Sequence, residues 1–452
     1  MLLLPLAYFA SFFYSLVAIF KKKYFDILAF YIVGLPIYIT TLAILEMYGL
    51  QSLVLMAQYS KEIISILSLF LILYTFKNRP TFSTTDYLVT FYFVFCGIYI
   101  LLPLGSFNMY QKIIAFKNIA FFPIIYFIGR LISLDALNIS KYQVLTILIG
   151  ICFALIAITE YASNTHFQSH TGYAQYNLKY MGIEPQGSYG LSWTFEIEGG
   201  IKRFSSVFAN PLEFAAGTIV LFAMIASAAT LNNIRPTSVL IIGMIAGIIS
   251  VILALSRASF VGLMITIYAY CLLMRYKQLL NIIHVGLVTM IVGFTIFLLN
   301  TDIGEFVINT INFSNSSSLS HLVEWIDGLE AIRIHPMGMG LGESGRVAGE
   351  FGLNTGGENQ LIILGVQTGV IPVIVYIAMM IAIIRVSIVQ VRGGNKLSKQ
   401  VGIIVFLLKI GLMLPLLTAS AESYLYISHV SWFFSGLLIN LSTISPKTSS
   451  IE

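Results

Sequence analysis

Charged residues are scarce in this chain, and their scarcity limits what it can be. Its 25 basic and 20 acidic residues make up only 10% of 452 residues, whereas a soluble globular chain carries about 25%. A soluble enzyme, a nucleic-acid-binding domain and a disordered chain are therefore excluded. Cysteine is also rare: the three cysteines lie singly inside apolar runs, at Cys96, Cys152 and Cys271. Neither a disulfide framework nor a cysteine metal cluster is expected from that spacing.

Apolar residues are abundant, at 58% of the chain, and they fall into thirteen long segments. Each is close to the roughly 20 residues that an α-helix needs to cross a bilayer. The sequence therefore predicts one all-α, multi-pass integral membrane domain over residues 1–452, with about 13 (12 to 14) transmembrane helices. The predicted spans are 2–20, 25–46, 60–76, 86–105, 112–133, 143–162, 211–231, 237–255, 258–274, 279–299, 358–384, 401–420 and 424–441.

Two connections are long, 163–210 and 300–357, and both are rich in Gly, Ser, Asn and acidic residues, as polar surface loops are. Basic residues at span ends mark the cytoplasmic side of a membrane protein. Fifteen of the 25 basic residues fall on one such side. This places both long loops, and the N-terminus, on the outer side. The first span, which no basic residue precedes, is expected to be retained rather than cleaved.

Ten basic residues do not fit that cytoplasmic side, and a charge at membrane depth often marks a function. They are Lys61, Lys112, Lys117, Lys179, Lys202, Arg203, Arg257, Arg333, Arg346 and Lys409. Arg257 is the clearest, because Ser256 and Arg257 lie in a very short turn between two spans at the outer boundary. It is either an anion ligand or a snorkelling side chain that caps the turn.

Arg203 follows Lys202 where the first long loop returns to the membrane. Asn210 and Pro211 suit the cap and first turn of a helix, whose N-terminus would carry partial positive charge outward. Lys202 and Arg203 beside it predict a phosphate site, with interfacial anchoring as the alternative. Arginine at both 203 and 257 fits bidentate phosphate binding.

The second long loop predicts an amphipathic helix from Ser320 to Arg333 on the outer face. Leu322, Ile326, Leu329 and Ile332 form its apolar face, and His321 and Trp325 share another face. After His335 come three alternating glycines, Gly338, Gly340 and Gly342, which allow a close backbone approach. Alone, this glycine pattern is weak support for a ligand.

Glu358 and Asn359 end the second loop at the outer mouth of a predicted span. Glu358 is either a carboxylate at a helix N-terminus, where it caps the helix, or a general base that accepts the proton of a substrate hydroxyl. His321, His335 and His429 do not have the spacing of metal ligands. We therefore expect no metal and no cofactor.

Four segments together resemble the bacterial O-antigen polymerase and O-antigen ligase superfamily. They are RFSSVFANPLEFA (203–215), LSRAS (255–259), WIDGLEAIRIHPMGMGLG (325–342) and ENQLIILGVQTGVI (358–371). The similarity covers about 200–441 and is weaker in any one motif than in their common order. The first half of the chain resembles the family only in its hydropathy.

The resemblance implies a glycosyltransferase of the bacterial inner membrane with its active site on the periplasmic side. Arg203 and Arg257, with Ser256 and Lys202, are implied to bind the diphosphate of an undecaprenyl-linked glycan. Glu358, with Asn359, is then the expected catalytic pair. Partners would be undecaprenyl-diphosphate-linked oligosaccharides, as donor and acceptor, the lipid bilayer and a chain-length regulator, without nucleic acid.

Two departures from the family pattern bear on this assignment. Ligases typically have His-Asn where this chain has Glu358-Asn359, and glutamate is more similar to the polymerases. The family often has arginine four residues before the helix tryptophan, where this chain has His321. Arg333 or Arg346 could supply that charge, and His335 and Asn210 are further candidate substrate contacts. The alternatives are an O-antigen ligase, which transfers the glycan to a lipid A core or a protein, and a transporter or flippase of lipid-linked sugars.

Overall fold

The computed structural model describes residues 1–75, 81–134, 137–197, 200–231, 237–298, 316–350 and 355–444. Within these ranges the chain is almost entirely α-helical, and its one sheet is a two-residue antiparallel hairpin, β1 (Glu196–Ile197) with β2 (Ile201–Lys202). Among the described residues, ten helices are long and apolar enough to cross a membrane, and a bent pair brings the number to eleven. This confirms the predicted all-α multi-pass membrane class; the count of thirteen stays a prediction.

The helices follow one another with short connections through most of the described chain. They are α1 (Leu3–Phe20), α2 (Tyr38–Met47), α3 (Gln51–Thr75), α4 (Thr84–Leu101), α5 (Met109–Ala120), α6 (Phe122–Leu131), α7 (Ile139–Ser163), α8 (Tyr173–Met181), α9 (Pro211–Leu231), α10 (Thr237–Ala254), α11 (Arg257–Met274), α12 (Lys277–Leu298), α13 (Ser316–Ile334), α14 (Arg346–Glu350), α15 (Gln360–Thr368), α16 (Val370–Gly393), α17 (Lys396–Gly411), α18 (Met413–Thr418) and α19 (Leu425–Ile444).

Several predicted spans are not single regular helices. The segment predicted as 25–46 contains short 3₁₀ and π turns over Tyr24–Ile27, Phe30–Gly34 and Leu35–Ile37 before α2 begins. The span predicted as 112–133 bends by 48° between α5 and α6, where Pro123 has no N–H to give to a continuing helix. The span predicted as 358–384 divides into α15 and α16 at Gly369, whose φ is 82°.

Helix α19 lies at the centre of the fold and packs most extensively on α6. Two glycines set their closest approach. A Cβ on Gly129 would lie 2.0 Å from the carbonyl oxygen of Phe433, and a Cβ on Gly436 would lie 1.9 Å from that of Tyr126. Small residues that let backbones touch are a common basis of helix association in membranes. Gly129 and Gly436 therefore allow α6 and α19 to pack with their backbones in close contact.

We expect Gly436→Ala to destabilise the protein, by about 1–3 kcal/mol if the helices can separate slightly to admit the methyl group. The matched control is Gly286→Ala in α12, where a Cβ meets nothing within 4 Å. Thermal unfolding of the two purified variants in detergent measures the difference. Equal melting temperatures for Gly436→Ala and Gly286→Ala would contradict the close packing of α6 and α19.

The two long loops carry their own short structure. The first contains a 3₁₀ turn (Phe167–His170), α8 and the β1–β2 hairpin, and the second contains α13. Helix α13 is present, and of its predicted apolar face Leu322 and Ile332 are half-buried while Ile326 and Leu329 are exposed. The face against α15 includes Gly328, whose Cβ would lie 2.3 Å from Ile362, and Ile332. The amphipathic character of α13 stays a prediction.

Candidate active site

The segment between β2 and α9 enters the membrane domain and is held there by side chains from three helical elements. The carboxylate of Glu160 accepts the N–H groups of Phe167 and Ser206, each at 2.7 Å. Thr40 donates to the carbonyl of Val207 at 2.6 Å, and Gln168 donates to that of Phe208 at 2.6 Å. These contacts pair backbone groups that would otherwise be buried without partners.

Helix α9 begins where the sequence predicts. Asn210 Oδ1 accepts the N–H of Glu213 at 2.8 Å, and Pro211 occupies the first turn. An asparagine cap followed by proline is a favoured helix start, since proline lacks the N–H that would remain unpaired. The polar oxygen of Asn210 is therefore committed to the helix. Its predicted role as a substrate contact would fall to its amide nitrogen.

Arg203 is fixed onto the turn that connects α10 and α11. Its backbone N–H donates to Phe195 O at 2.9 Å, and its Nε donates to Ala254 O at 3.3 Å. The next residue, Phe204, donates its N–H to Leu253 O at 3.1 Å. The first long loop is thus hydrogen-bonded to the end of α10, directly before the turn that contains Ser256 and Arg257.

That turn has a strained backbone. Leu255 has a φ of 47°, in the left-handed region that side chains other than glycine rarely adopt. Ser256 then caps α11 through its Oγ, which accepts the N–H of Ser259 at 3.4 Å. Ser256 is buried, while Arg257 is exposed at the first position of the helix. Ser256 therefore serves as the cap, and Arg257 projects from the helix start.

The predicted residue Arg203 is within electrostatic range of both Arg257 and Glu358, although 155 positions separate Arg203 from Glu358. Burial lowers the pKa of the Arg203 guanidinium, and the positive charge of Arg257 lowers it further. The hydroxyl of Tyr424 and the carboxylate of Glu358 oppose this shift. Arginine stays protonated throughout the physiological range. Two guanidinium charges within range of each other are a combination that suits an anion with more than one charge.

Asn359, rather than Glu358, caps the helix at this position. Its Oδ1 accepts the N–H groups of Leu361 at 3.0 Å and Ile362 at 3.2 Å, at the start of α15. Asn359 is buried, and Glu358 is exposed one residue before it. Asn359 therefore supplies the side-chain cap of α15, and the role of Glu358 as a general base stays a prediction. Glu358 precedes the positive, N-terminal end of α15. It is within electrostatic range of Arg203 and Tyr424.

The alternating glycines hold the other end of α15. Met339 donates its N–H to Val366 O at 2.7 Å, and Gly340 donates to Gln367 O at 3.1 Å. A Cβ on Gly338, whose φ is 85°, would lie 2.6 Å from the nitrogen of Gly369. These N–H groups pair carbonyls that the end of α15 leaves open. The glycine pattern therefore seats a helix end, and in this way it supports the position of Glu358.

The structure does not gather every predicted site residue at this point. The ammonium of Lys202 donates to Asn164 O and lies 4.8 Å from the ring centroid of Tyr189, so that it ties the loop together. Arg333 makes two hydrogen bonds to Glu330 on the exposed surface of α13. His335 is exposed at the end of α13. The side chain of His321 lies outside the described residues.

Two residues of this region were not predicted from the sequence. Tyr424 is buried within electrostatic range of Glu358, Glu213 and Arg203. Glu213 is a buried carboxylate in the first turn of α9. A signal existed for Glu213, since an acidic residue just inside a predicted span is unusual. Nothing local marks Tyr424, one of 25 tyrosines.

We expect Glu160→Gln to loosen the loop that positions Arg203. Glutamine has one acceptor oxygen where the carboxylate has two, so one buried N–H, of Phe167 or Ser206, loses its partner. An unpaired buried donor costs about 1–3 kcal/mol. Thermal unfolding in detergent should show a lower melting temperature than for Glu184→Gln, a change at an exposed loop position. An unchanged melting temperature would exclude Glu160 as the anchor of this loop.

No family model matches the chain, and no curated protein matches it.

Proposed function

We propose that this protein is an O-antigen (surface polysaccharide) polymerase, a metal-independent, inverting glycosyltransferase of the bacterial inner membrane. It transfers a growing glycan from undecaprenyl diphosphate to an undecaprenyl-diphosphate-linked repeat unit on the periplasmic side. The observation that carries the proposal is that Arg203 is within electrostatic range of both Arg257 and Glu358, which come from two other segments of the chain. A pair of guanidinium groups and a carboxylate are the groups that this reaction requires.

The arginines act on the leaving group. As the bond between the anomeric carbon and the diphosphate oxygen breaks, negative charge grows on that oxygen, and fixed positive groups lower the barrier. Arg203 and Arg257 are well placed for this role, because the contact of Arg203 with Ala254 O fixes its orientation beside the start of α11. No separate activation step is needed, since the donor already carries its diphosphate.

Glu358 acts on the acceptor. A hydroxyl of the terminal sugar forms a bond to the anomeric carbon from the face opposite the diphosphate, and its proton passes to the Glu358 carboxylate. Attack from that face inverts the anomeric centre. The exposure of Glu358 lets a sugar chain reach it from the outer side, while Asn359 and the glycine segment fix the backbone behind it.

The products that accumulate in a cell lacking the gene distinguish polymerase from ligase. Loss of a polymerase leaves single repeat units attached to the final acceptor, because ligation continues without elongation. Loss of a ligase leaves long glycan on undecaprenyl diphosphate. Electrophoresis of surface glycan together with analysis of the lipid-linked pool separates the two. We expect single units; long unattached glycan would make the protein a ligase.

One observation favours the transporter alternative. Several spans are broken, and Lys409 is buried with its ammonium 3.5 Å from the ring centroid of Trp432. Transporters often place charges and broken helices near the membrane midplane. The hydrogen bonds around Gly369, however, fix the end of α15, the helix that follows the exposed Glu358. This favours the enzyme. A transporter would move one lipid-linked unit across a vesicle membrane without lengthening it.

A further inference from the structure

Two lysines share one carboxylate between α3 and α5. The ammonium of Lys61 lies 3.1 Å from Glu62 Oε1, and the ammonium of Lys117 lies 2.9 Å from the same oxygen. One carboxylate cannot balance two ammonium groups, so this group carries a net charge of about +1. We refer to Lys61, Glu62 and Lys117 as the lysine pair site.

The lysine pair site lies below the outer surface. At a rise of about 1.5 Å per residue, Lys61 is about 15 Å along α3 from Gln51, and Lys117 is about 12 Å along α5 from Met109. In the predicted orientation both helices start on the outer side. Tyr38 joins them at that depth from α2, and its hydroxyl accepts a hydrogen bond from Lys61 at 2.8 Å.

One of the two lysines is partly exposed. The side chain of Lys117 is 38% exposed, whereas that of Lys61 is only 8% exposed. A lysine exposed to lipid at this depth would cost a few kcal/mol. The exposed part of Lys117 is therefore expected to face water or a polar ligand, and Lys61 lies behind it as a fixed second charge.

A third basic residue lies near this site. Arg346 is exposed and is within electrostatic range of both Lys61 and Tyr38. It is also within electrostatic range of Tyr173 on α8. Positive charge from three basic residues is therefore gathered here, in addition to the charges of Arg203 and Arg257.

We propose that the lysine pair site binds the diphosphate headgroup of the second lipid-linked substrate, the acceptor, while Arg203 and Arg257 bind that of the donor. This rests on the proposed function, in which two undecaprenyl diphosphates must be bound at once. Their headgroups repel each other and cannot share one pair of arginines. Two separate cationic groups can hold both headgroups, and the depth of the lysines suits a headgroup whose tail lies in the membrane.

The charge of Glu62 gives a test that a purely structural ion pair would fail. Glu62→Gln raises the net charge of the site from about +1 to +2, and Lys117→Gln lowers it to 0. We expect the first change to tighten diphosphate binding at this site by about tenfold and the second to abolish it. The double variant Glu62→Gln/Lys117→Gln restores the charge and should bind close to the wild-type level.

The measurement is calorimetric titration of the full-length protein in lipid nanodiscs with geranyl diphosphate, with inorganic pyrophosphate as a second probe. Wild-type protein should bind two geranyl diphosphates, and Lys117→Gln and Arg257→Ala should each lose one. If Glu62→Gln and Lys117→Gln weaken binding alike, the pair is only structural and the proposal is overturned. If only inorganic pyrophosphate depends on Lys117, the site takes a free phosphate compound and the lipid assignment is overturned.

The same titration separates this inference from the proposed function. Loss of one binding event in Arg257→Ala, with Lys117→Gln unchanged, overturns the second site and leaves the donor site standing. Loss of one event in Lys117→Gln, with Arg257→Ala unchanged, supports the lysine pair site as a diphosphate site and contradicts the donor role of the arginines. Melting temperatures near the wild-type value show that neither result comes from misfolding.

Discussion

Replacing Arg257 by alanine is expected to abolish long-chain glycan while the protein still inserts and accumulates. Arg257 is exposed at the start of α11, so its removal leaves no buried group unpaired. Its charge lies within range of Arg203 and would stabilise the departing diphosphate. Loss of one such fixed group typically costs about 10²–10³ in rate. The chain-length distribution of surface glycan and the initial rate of elongation both measure the effect.

Two further variants make this test specific. Arg257→Lys keeps the charge but loses the two-pronged contact with phosphate, so that we expect activity between those of wild type and alanine. Arg392→Ala removes an exposed arginine near the end of α16, on the side predicted to be cytoplasmic, and should leave elongation unchanged. Normal chain length in Arg257→Ala would contradict its assignment to the diphosphate.

Replacing Glu358 by glutamine is expected to stop polymerisation while diphosphate binding continues. Glutamine has nearly the same shape but cannot accept a proton from the acceptor hydroxyl. Loss of a general base typically lowers the rate by about 10²–10⁴. Because Asn359 supplies the cap of α15, the helix should keep its start in this variant. Geranyl diphosphate binding and product formation, measured on the same preparation, separate chemistry from affinity.

The control for this change is Glu330→Gln, which removes a carboxylate from the exposed face of α13, where it pairs with Arg333. Its activity should match the wild type, since the ion pair is on the surface and contributes little. An active Glu358→Gln variant would remove Glu358 from the chemistry. The buried carboxylate of Glu213, which shares Tyr424 as a neighbour, would then be the next group to test.

The membrane class follows from the sequence because it depends on composition, and the start of α9 follows because Asn210 and Pro211 act locally. The breaks within spans do not follow in the same way. Gly369 adopts its positive φ directly before Val370, which donates its N–H to Pro336 O, a contact between residues 34 positions apart. The packing of α13 on α15 does not follow either, because it depends on the close approach of Gly328 to Ile362.

The candidate site was predictable residue by residue but not as an arrangement. Arg203, Arg257 and Glu358 each stand out as charges at an outer span boundary, where a sequence pattern is informative. Their grouping depends on tertiary contacts, such as the one from Arg203 to Ala254. Tyr424 and the lysine pair site appear only with those contacts. Lys202 was predicted at the phosphate site but is engaged with Asn164, which is a matter of loop packing.

The most direct test of the central claim is reconstitution of the purified protein with two purified undecaprenyl-diphosphate-linked repeat units and no other enzyme or metal. The account predicts a lipid-linked product of two units, release of one undecaprenyl diphosphate per bond formed, and no product with Arg257→Ala or Glu358→Gln. Absence of any longer product from active wild-type protein, or movement of the units across the vesicle membrane without elongation, would contradict it.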